Sequence, residues 1–234
     1  MEQENVGLYL GMDISEKYTM ISIYQQHMKE PQTISTIMGS ESYQIPTALA
    51  KKKGVGQWFF GREAKVRVKS GEALGVEDLL DKARTGEEVF LEHEKYAASD
   101  LLAIFLKRVL SLAGSAQAMM PLTKLVICLD KVSVEYMELF SAIMVKLGIE
   151  TDKLLLIDRR ESFYYYALSQ GPETFLHDVV MFDYTESDMV SCRLRRNMHT
   201  TPQVINLDQK NHGKLLDQKD GEFQKIAQDV IDGQ

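Results

Sequence analysis

Apolar residues in this chain follow two rhythms. Leu8–Ile14 and residues 18–24 are two runs rich in apolar residues around the polar turn Ser15-Glu16-Lys17, with Asp13 at the turn of the first. Residues 178–194 repeat that plan, with Asp183 ending the first run and Thr185-Glu186-Ser187 in the turn. Two short apolar runs joined by a few polar residues read as a β-hairpin, so hairpins are expected over residues 7–24 and again from Asp178. From Ser99 the spacing changes: Leu101, Leu102, Phe105, Leu106, Val109 and Leu112 recur at three- and four-residue steps, with Ser99 as N-cap and Gly114 as stop. Residues 122–130 form a continuous apolar run of strand length, as expected of a strand covered on both faces. Ser133 then caps a helix bearing Tyr136, Phe140, Ile143, Met144 and Leu147, with Gly148 just past its end. A short strand at 154–158, a helix at 160–169, a strand at 202–207 and a helix at 221–231 complete the pattern.

Residues 33–38 are a candidate third strand, and 43–95 read as an inserted segment with a minor core of its own around Trp58, Phe59 or Phe60. Within it, Lys51-Lys52-Lys53-Gly54 reads as a solvated hairpin tip. Strands alternating with helices predict an α/β fold, a mixed sheet flanked by helices.

Composition narrows the function. A net charge of −7 disfavours nucleic acid as a partner, which calls for a basic face. No window reaches the ~18 apolar residues of a membrane span, and the acidic N-terminus is unlike a secretory signal, so a cytoplasmic location is expected. Cys128 and Cys192 sit inside apolar runs, as buried thiols do. The five histidines lack the spacing of a zinc site. Tyr164-Tyr165-Tyr166 cannot all face one way on a helix, so one or two are expected to pack in the cleft wall, with base stacking or partner contact as the alternative.

The order of elements, with an insertion after the third strand, resembles the actin-like ATPase superfamily, closest to the nucleotide-binding domain of the 70-kDa heat-shock chaperones. Gly11-Met12-Asp13-Ile14-Ser15 stands where that family has its first phosphate loop, and Val180-Met181-Phe182-Asp183 leads into the place of the second. Ile45-Pro46-Thr47, Phe60-Gly61-Arg62-Glu63-Ala64, the 125–130 strand, the 155–162 segment and Asp220-Gly221-Glu222-Phe223 fall where the chaperones have related pieces. The resemblance implies a ribonuclease H-like mixed sheet. It makes residues 1–175 a first lobe, with the satellite at 43–95, and residues 176–234 the beginning of a second lobe. It also makes Asp13, Ser15, Lys17, Asp183 and Thr185 vestigial nucleotide-binding residues, with Asp13 and Asp183 as possible Mg²⁺ ligands through water. An Asp at a strand end also simply starts a turn, and that alternative stays open for both.

The tips have departed from the family pattern. Ser15 replaces a glycine that would let backbone N–H groups approach phosphate, and Thr185-Glu186-Ser187 fill a triple-glycine region. Glu16 and Glu186 would each repel a polyanion, at roughly 3 kcal/mol per contact for ~5 Å and an effective dielectric of ~20. Arg160 stands where the family keeps its water-orienting Glu, and Glu161 is turned ~100° away on a helix. These losses imply a degenerate, pseudo-ATPase domain serving as a protein-interaction or scaffold module, with no cofactor and an unknown protein partner. A divergent ATP-binding chaperone-like ATPase using ATP and Mg²⁺ is the alternative, and a sugar- or acid-kinase-like phosphotransferase another. Arg193, Arg195 and Arg196, outward on a strand whose Val190, Cys192 and Leu194 face inward, are a candidate docking stripe.

Overall fold

The computed structural model describes residues 7–37, 39–114, 122–170, 175–184, 189–213, 228–230 and 232. It divides into two compact units, Met1–Arg159 and Arg160–Gln234. The division falls after the first residue of the helix at Arg159–Ser169.

In the first unit, β1 (Leu8–Ile14) and β2 (Tyr18–Gln25) form the expected hairpin. β3 (Gln32–Thr33) is only two residues long and pairs with β2. Residues 34–37 of the expected third strand are a loop, because hydroxyls there capture backbone groups instead, and residue 38 lies outside the described residues. Thr36 Oγ1 donates to the Ser42 carbonyl at 2.9 Å, and Ser35 Oγ donates to the Ile37 carbonyl at 2.9 Å. β4 (Ile45–Pro46) also pairs with β2. β5 (Leu49–Lys52), β6 (Trp58–Phe60), α1 (Gly61–Lys69) and β7 (Ala73–Val76) follow, the three strands forming a sheet ordered β6-β5-β7. α2 (Leu79–Thr85) leads to the β8 (Glu88–Leu91) and β9 (Glu94–Ala97) hairpin, and then to α3 (Ala98–Gly114). α3 starts at Ala98, so Ser99 lies inside the first turn instead of capping it.

β10 (Leu122–Leu129), α4 (Val134–Leu147) and β11 (Leu154–Asp158) complete the main sheet, whose order is β11-β10-β1-β2-β3. β1, β10 and β11 are mutually parallel and β2 is antiparallel to β1, so the sheet is mixed. Parallel neighbours need crossovers, and α4 supplies the one from β10 to β11. Ser133 caps α4 by accepting the Tyr136 N–H at 3.4 Å, and Gly148 closes it at φ +72°. Leu8, Leu10, Met12 and Ile14 alternate onto one face, where they meet Phe105 and Leu106 of α3 and Phe140 and Ile143 of α4.

The inserted segment is shared between two cores. Ala50, Phe59, Ala64 and Ala73 make a small cluster of their own, whereas Trp58 and Phe60 turn to the main core along with Leu49, Val76 and Leu79. Strand alternation separates the three aromatics. Lys51 is buried, contrary to the expected solvated tip. Its Nζ pairs with Glu94, lies 3.6 Å from Glu92 and sits 5.5 Å from the Tyr96 ring centre.

In the second unit, α5 (Arg159–Ser169) opens on the last residue of the first. β12 (Val179–Tyr184), β13 (Met189–Arg196) and β14 (Val204–Asn211) form an antiparallel sheet in that order. β12 runs one residue beyond Asp183, and β14 starts later and ends later than the expected 202–207. Met181, Val190, Cys192, Leu194 and Val204 form its core, with Tyr164 and Leu168 of α5 against them. Tyr164 thus packs, while Tyr165 and Tyr166 are 45% and 61% exposed. Of the expected final helix, Gln228–Val230 are helical. Thr185, Glu186, Ser187 and the Asp220–Phe223 motif lie outside the described residues.

Candidate functional site

Three parallel strands point their C-terminal ends the same way, and backbone register brings their acidic residues to one edge. Asp13 of β1 lies opposite Cys128 of β10, and Leu129 opposite Asp158 of β11, so Asp130, Asp158 and Arg159 follow at the same level. Strand carboxyl ends in α/β sheets are where ligands commonly bind.

A single guanidinium organises this edge. Arg159 Nη1 donates to Asp130 Oδ1 at 3.1 Å, and Nη2 stands 3.6 Å from Asp13 Oδ1. The second separation is an ion pair, too long for a hydrogen bond, and Asp13 Oδ1 is buried with no hydrogen-bond partner. Burial therefore pushes the Asp13 carboxyl above its ordinary range, with Arg159 pulling it back and Asp130 adding a smaller upward push. Asp158 is occupied otherwise: its Oδ1 accepts the Val132 N–H at 2.5 Å and shapes the turn into α4. Among the described residues no group of three His, Cys, Asp or Glu side chains is placed to hold a metal ion.

The first hairpin tip is tied inward. Ser15 Oγ donates to the Tyr18 carbonyl at 3.0 Å and accepts the Tyr18 N–H at 3.2 Å, so its hydroxyl closes the turn. The Lys17 carbonyl accepts the Thr47 N–H at 3.0 Å, and the Lys17 side chain is exposed. Glu16 reaches the start of α2, whose Asp78 N-cap has φ +49° and makes no side-chain cap. Burial raises the Glu16 carboxyl, and the backbone N–H groups of Asp81 and Leu80 oppose that rise. Glu16 therefore lies close enough to the start of α2 to feel its backbone N–H groups. Nothing local in the sequence signals this contact, because it joins residues more than sixty positions apart.

The second unit holds the other candidates. Asp183 lies on β12 opposite Val190, half-buried, and acts on the Cys192 thiol electrostatically. Burial pushes that thiol up, so it is a packed group and not a nucleophile. Arg195 holds Asp178 with both carboxylate oxygens, at 2.7 and 2.9 Å. Arg193 is half-buried and donates to the Val230 carbonyl at 3.2 Å. The register irregularity between Arg193 and Leu194 leaves Leu207 of β14 as the extra residue, and Arg195 and Arg196, past the last β12 pair at Leu194, are both exposed. Ser191 Oγ is 2.8 Å from His212 Nε2, a pairing that sequence reasoning missed. With Ser191 only 3% exposed within the central strand, this is a satisfied interior hydroxyl.

A model of the C-terminal part of a family of unknown function, DUF5716, matches residues 30–234. The chain belongs to that family. β1 and β2 lie ahead of the matched stretch, whereas Asp130, Arg159 and the whole second unit lie within it. No curated protein matches the chain. Among the described residues, no helix is long and apolar enough to cross a membrane.

Proposed function

We propose that this chain is a degenerate actin- and chaperone-like domain, a pseudo-ATPase that serves as a protein-interaction or scaffold module and does not hydrolyse ATP. The reading is supported at the level of fold by the β11-β10-β1-β2-β3 order with β2 alone antiparallel among its first four strands, as a ribonuclease H-like sheet requires. The observation that carries it is Arg159. Where the resemblance would put a hydrated Mg²⁺ beside Asp13, the chain has its own cation, bridging Asp13 and Asp130.

The residues present do not fit a metal at that position. A guanidinium is always protonated and would repel a divalent ion placed between the same carboxylates. It cannot serve as a hydrated metal would, because it offers only N–H donors and has no water to exchange. Glu16, drawn to α2, and Ser15, closed into its own turn, are likewise committed to holding the hairpin. The Arg159 network is therefore a structural replacement for the ion and its ligand.

The test is a thermal melt with and without millimolar ATP and Mg²⁺, backed by a phosphate-release assay. A ligand at ~100-fold excess over its dissociation constant would add about 2.7 kcal/mol of stability. The expected result is an unchanged melting temperature and no turnover above a buffer blank. Turnover that disappears in Asp13→Ala would overturn the proposal.

A further inference from the structure

The chain is acidic, with a net charge of −7, yet Leu49–Val76 carries seven Lys and Arg against two Glu. The fold sorts those charges. Lys51 is consumed inside the sheet by Glu92 and Glu94, and Arg67 lies between Glu63 (3.7 Å) and Glu72 (2.6 Å). α1 packs inward through Ala64, against Ala50, Phe59 and Ala73. Its outer face then presents Arg62, Lys65, Val66 and Lys69, the i, i+3, i+4, i+7 set of one helical stripe. All four are exposed, Val66 at 63%, and no carboxylate belongs to the stripe.

At one end of this stripe lies a cavity of about 270 Å³, with Arg62 and Glu63 in its wall, Glu63 being turned to Arg67 at 3.7 Å. Its surface is mainly apolar, from Ile37, Ile45, Pro46, Phe60 and Leu112. Thr36 and Ile37 in the wall are held by the Ser35 and Thr36 hydroxyl bonds, and Arg62 Nη2 donates to Ser42 Oγ at 2.6 Å across the rim. Gly61, at φ +61°, lets the chain turn there: a Cβ would come within 3.2 Å of Ile45 Cγ2.

We propose that the α1 stripe and this cavity form one docking surface for an acidic segment of a partner protein that carries one large apolar anchor residue. The volume lies below the ~300 Å³ at which sites for whole small-molecule ligands begin, and suits a single bulky side chain. The three cations run along the helix from the cavity mouth, so carboxylates following the anchor would meet them in turn. A nucleic acid fits less well. The Tyr18 ring beside the stripe is already taken by Lys65, whose Nζ lies 5.6 Å from its centre, and the rest of the acidic chain would repel a long polyanion. An anionic membrane fits less well too, since Val66 is the stripe's one apolar side chain. This inference deepens the interaction-module reading but stands on different residues, so the ATP measurements and the binding measurement below can fail separately.

The test is a selection of random short peptides on the full chain, followed by fluorescence anisotropy of the labelled consensus peptide. The expected consensus has several Asp or Glu beside one Phe, Leu, Ile or Trp. Its affinity should fall about tenfold in Lys65→Glu/Lys69→Glu and with the anchor changed to Ala, but not in the charge-matched Lys29→Glu/Lys131→Glu control. Unchanged melting of both double variants separates lost binding from lost folding. A consensus without acidic residues, no enriched consensus, or equal binding by the Lys65→Glu/Lys69→Glu variant would overturn the proposal. So would tighter binding to single-stranded DNA or to phosphatidylserine vesicles than to the peptide.

Discussion

Asp13 and Arg159 show how one misfit of geometry becomes a measurable property. Asp13 Oδ1 is buried, and its nearest cation is 3.6 Å away, so the charged form is poorly compensated and the carboxyl titrates higher than in the unfolded chain. A raised carboxyl means that the folded state binds more protons than the unfolded state between the two pKa values. Stability from this group is therefore fully present in acid and is lost as pH rises through the folded value. Asp13→Asn should consequently raise the melting temperature at pH 7, and the gain over wild type should vanish near pH 3; paired melts at the two pH values check this. Arg159→Ala should act oppositely, because it leaves Asp13 and Asp130 facing each other unneutralised. A loss of about 1–2 kcal/mol in urea unfolding is expected, between the values for exposed and for fully buried pairs. At the same scale, Lys51 warns against reading a lysine run as a solvated tip. Its neighbours Lys52 and Lys53 are more exposed, but two carboxylates from a hairpin forty residues downstream make its burial tolerable.

Among the elements, α4 is set by its ends as much as by its face. Ser133 satisfies one of the orphan N–H groups at the start, and Gly148 takes the left-handed conformation at the stop without the penalty of a Cβ. Ser133→Ala should cost about 1 kcal/mol, and Gly148→Ala a similar amount. The two sites are about 20 Å apart along the axis at 1.5 Å per residue, so the double variant should show the sum in denaturant midpoints. The face matters more than either end. Phe105 of α3 and Phe140 of α4 are fully buried in the main core, and truncating either to Ala should cost about 3–5 kcal/mol.

Among the described residues the two units differ in the size of their cores. The first unit has a core assembled from the mixed sheet, α3, α4 and pieces of the insertion, whereas among the described residues the second has a smaller cluster around Met181, Val190, Cys192, Leu194 and Val204, joined by Tyr164, Leu168, Phe175 and Val179. Local opening follows the density of buried apolar contacts, so amides of β1 and β10 should exchange slowest in deuterium oxide and those of β12–β14 measurably faster. Equal protection in the two sheets would show that the small core is not the weaker one.

Much of the architecture was legible in the chain because its signals are local. The 3.6-residue period of α3 and α4, the Ser133 and Gly148 boundaries, the 154–158 strand and both hairpins depend on residues within a few positions of one another. The mixed sheet follows from their order. The candidate site was legible only in outline: Asp13 could be placed at a strand end, but its partner Arg159 is 146 positions later and reaches it only because β1, β10 and β11 are parallel. The same holds for Glu16 at the start of α2, for Lys51 beneath Glu92 and Glu94, and for the basic stripe that remains on α1 once inner charges are paired. Periodicity carries which face of an element is apolar. Which charge meets which is decided by register and burial across distant segments, and that information exists only once the chain has folded.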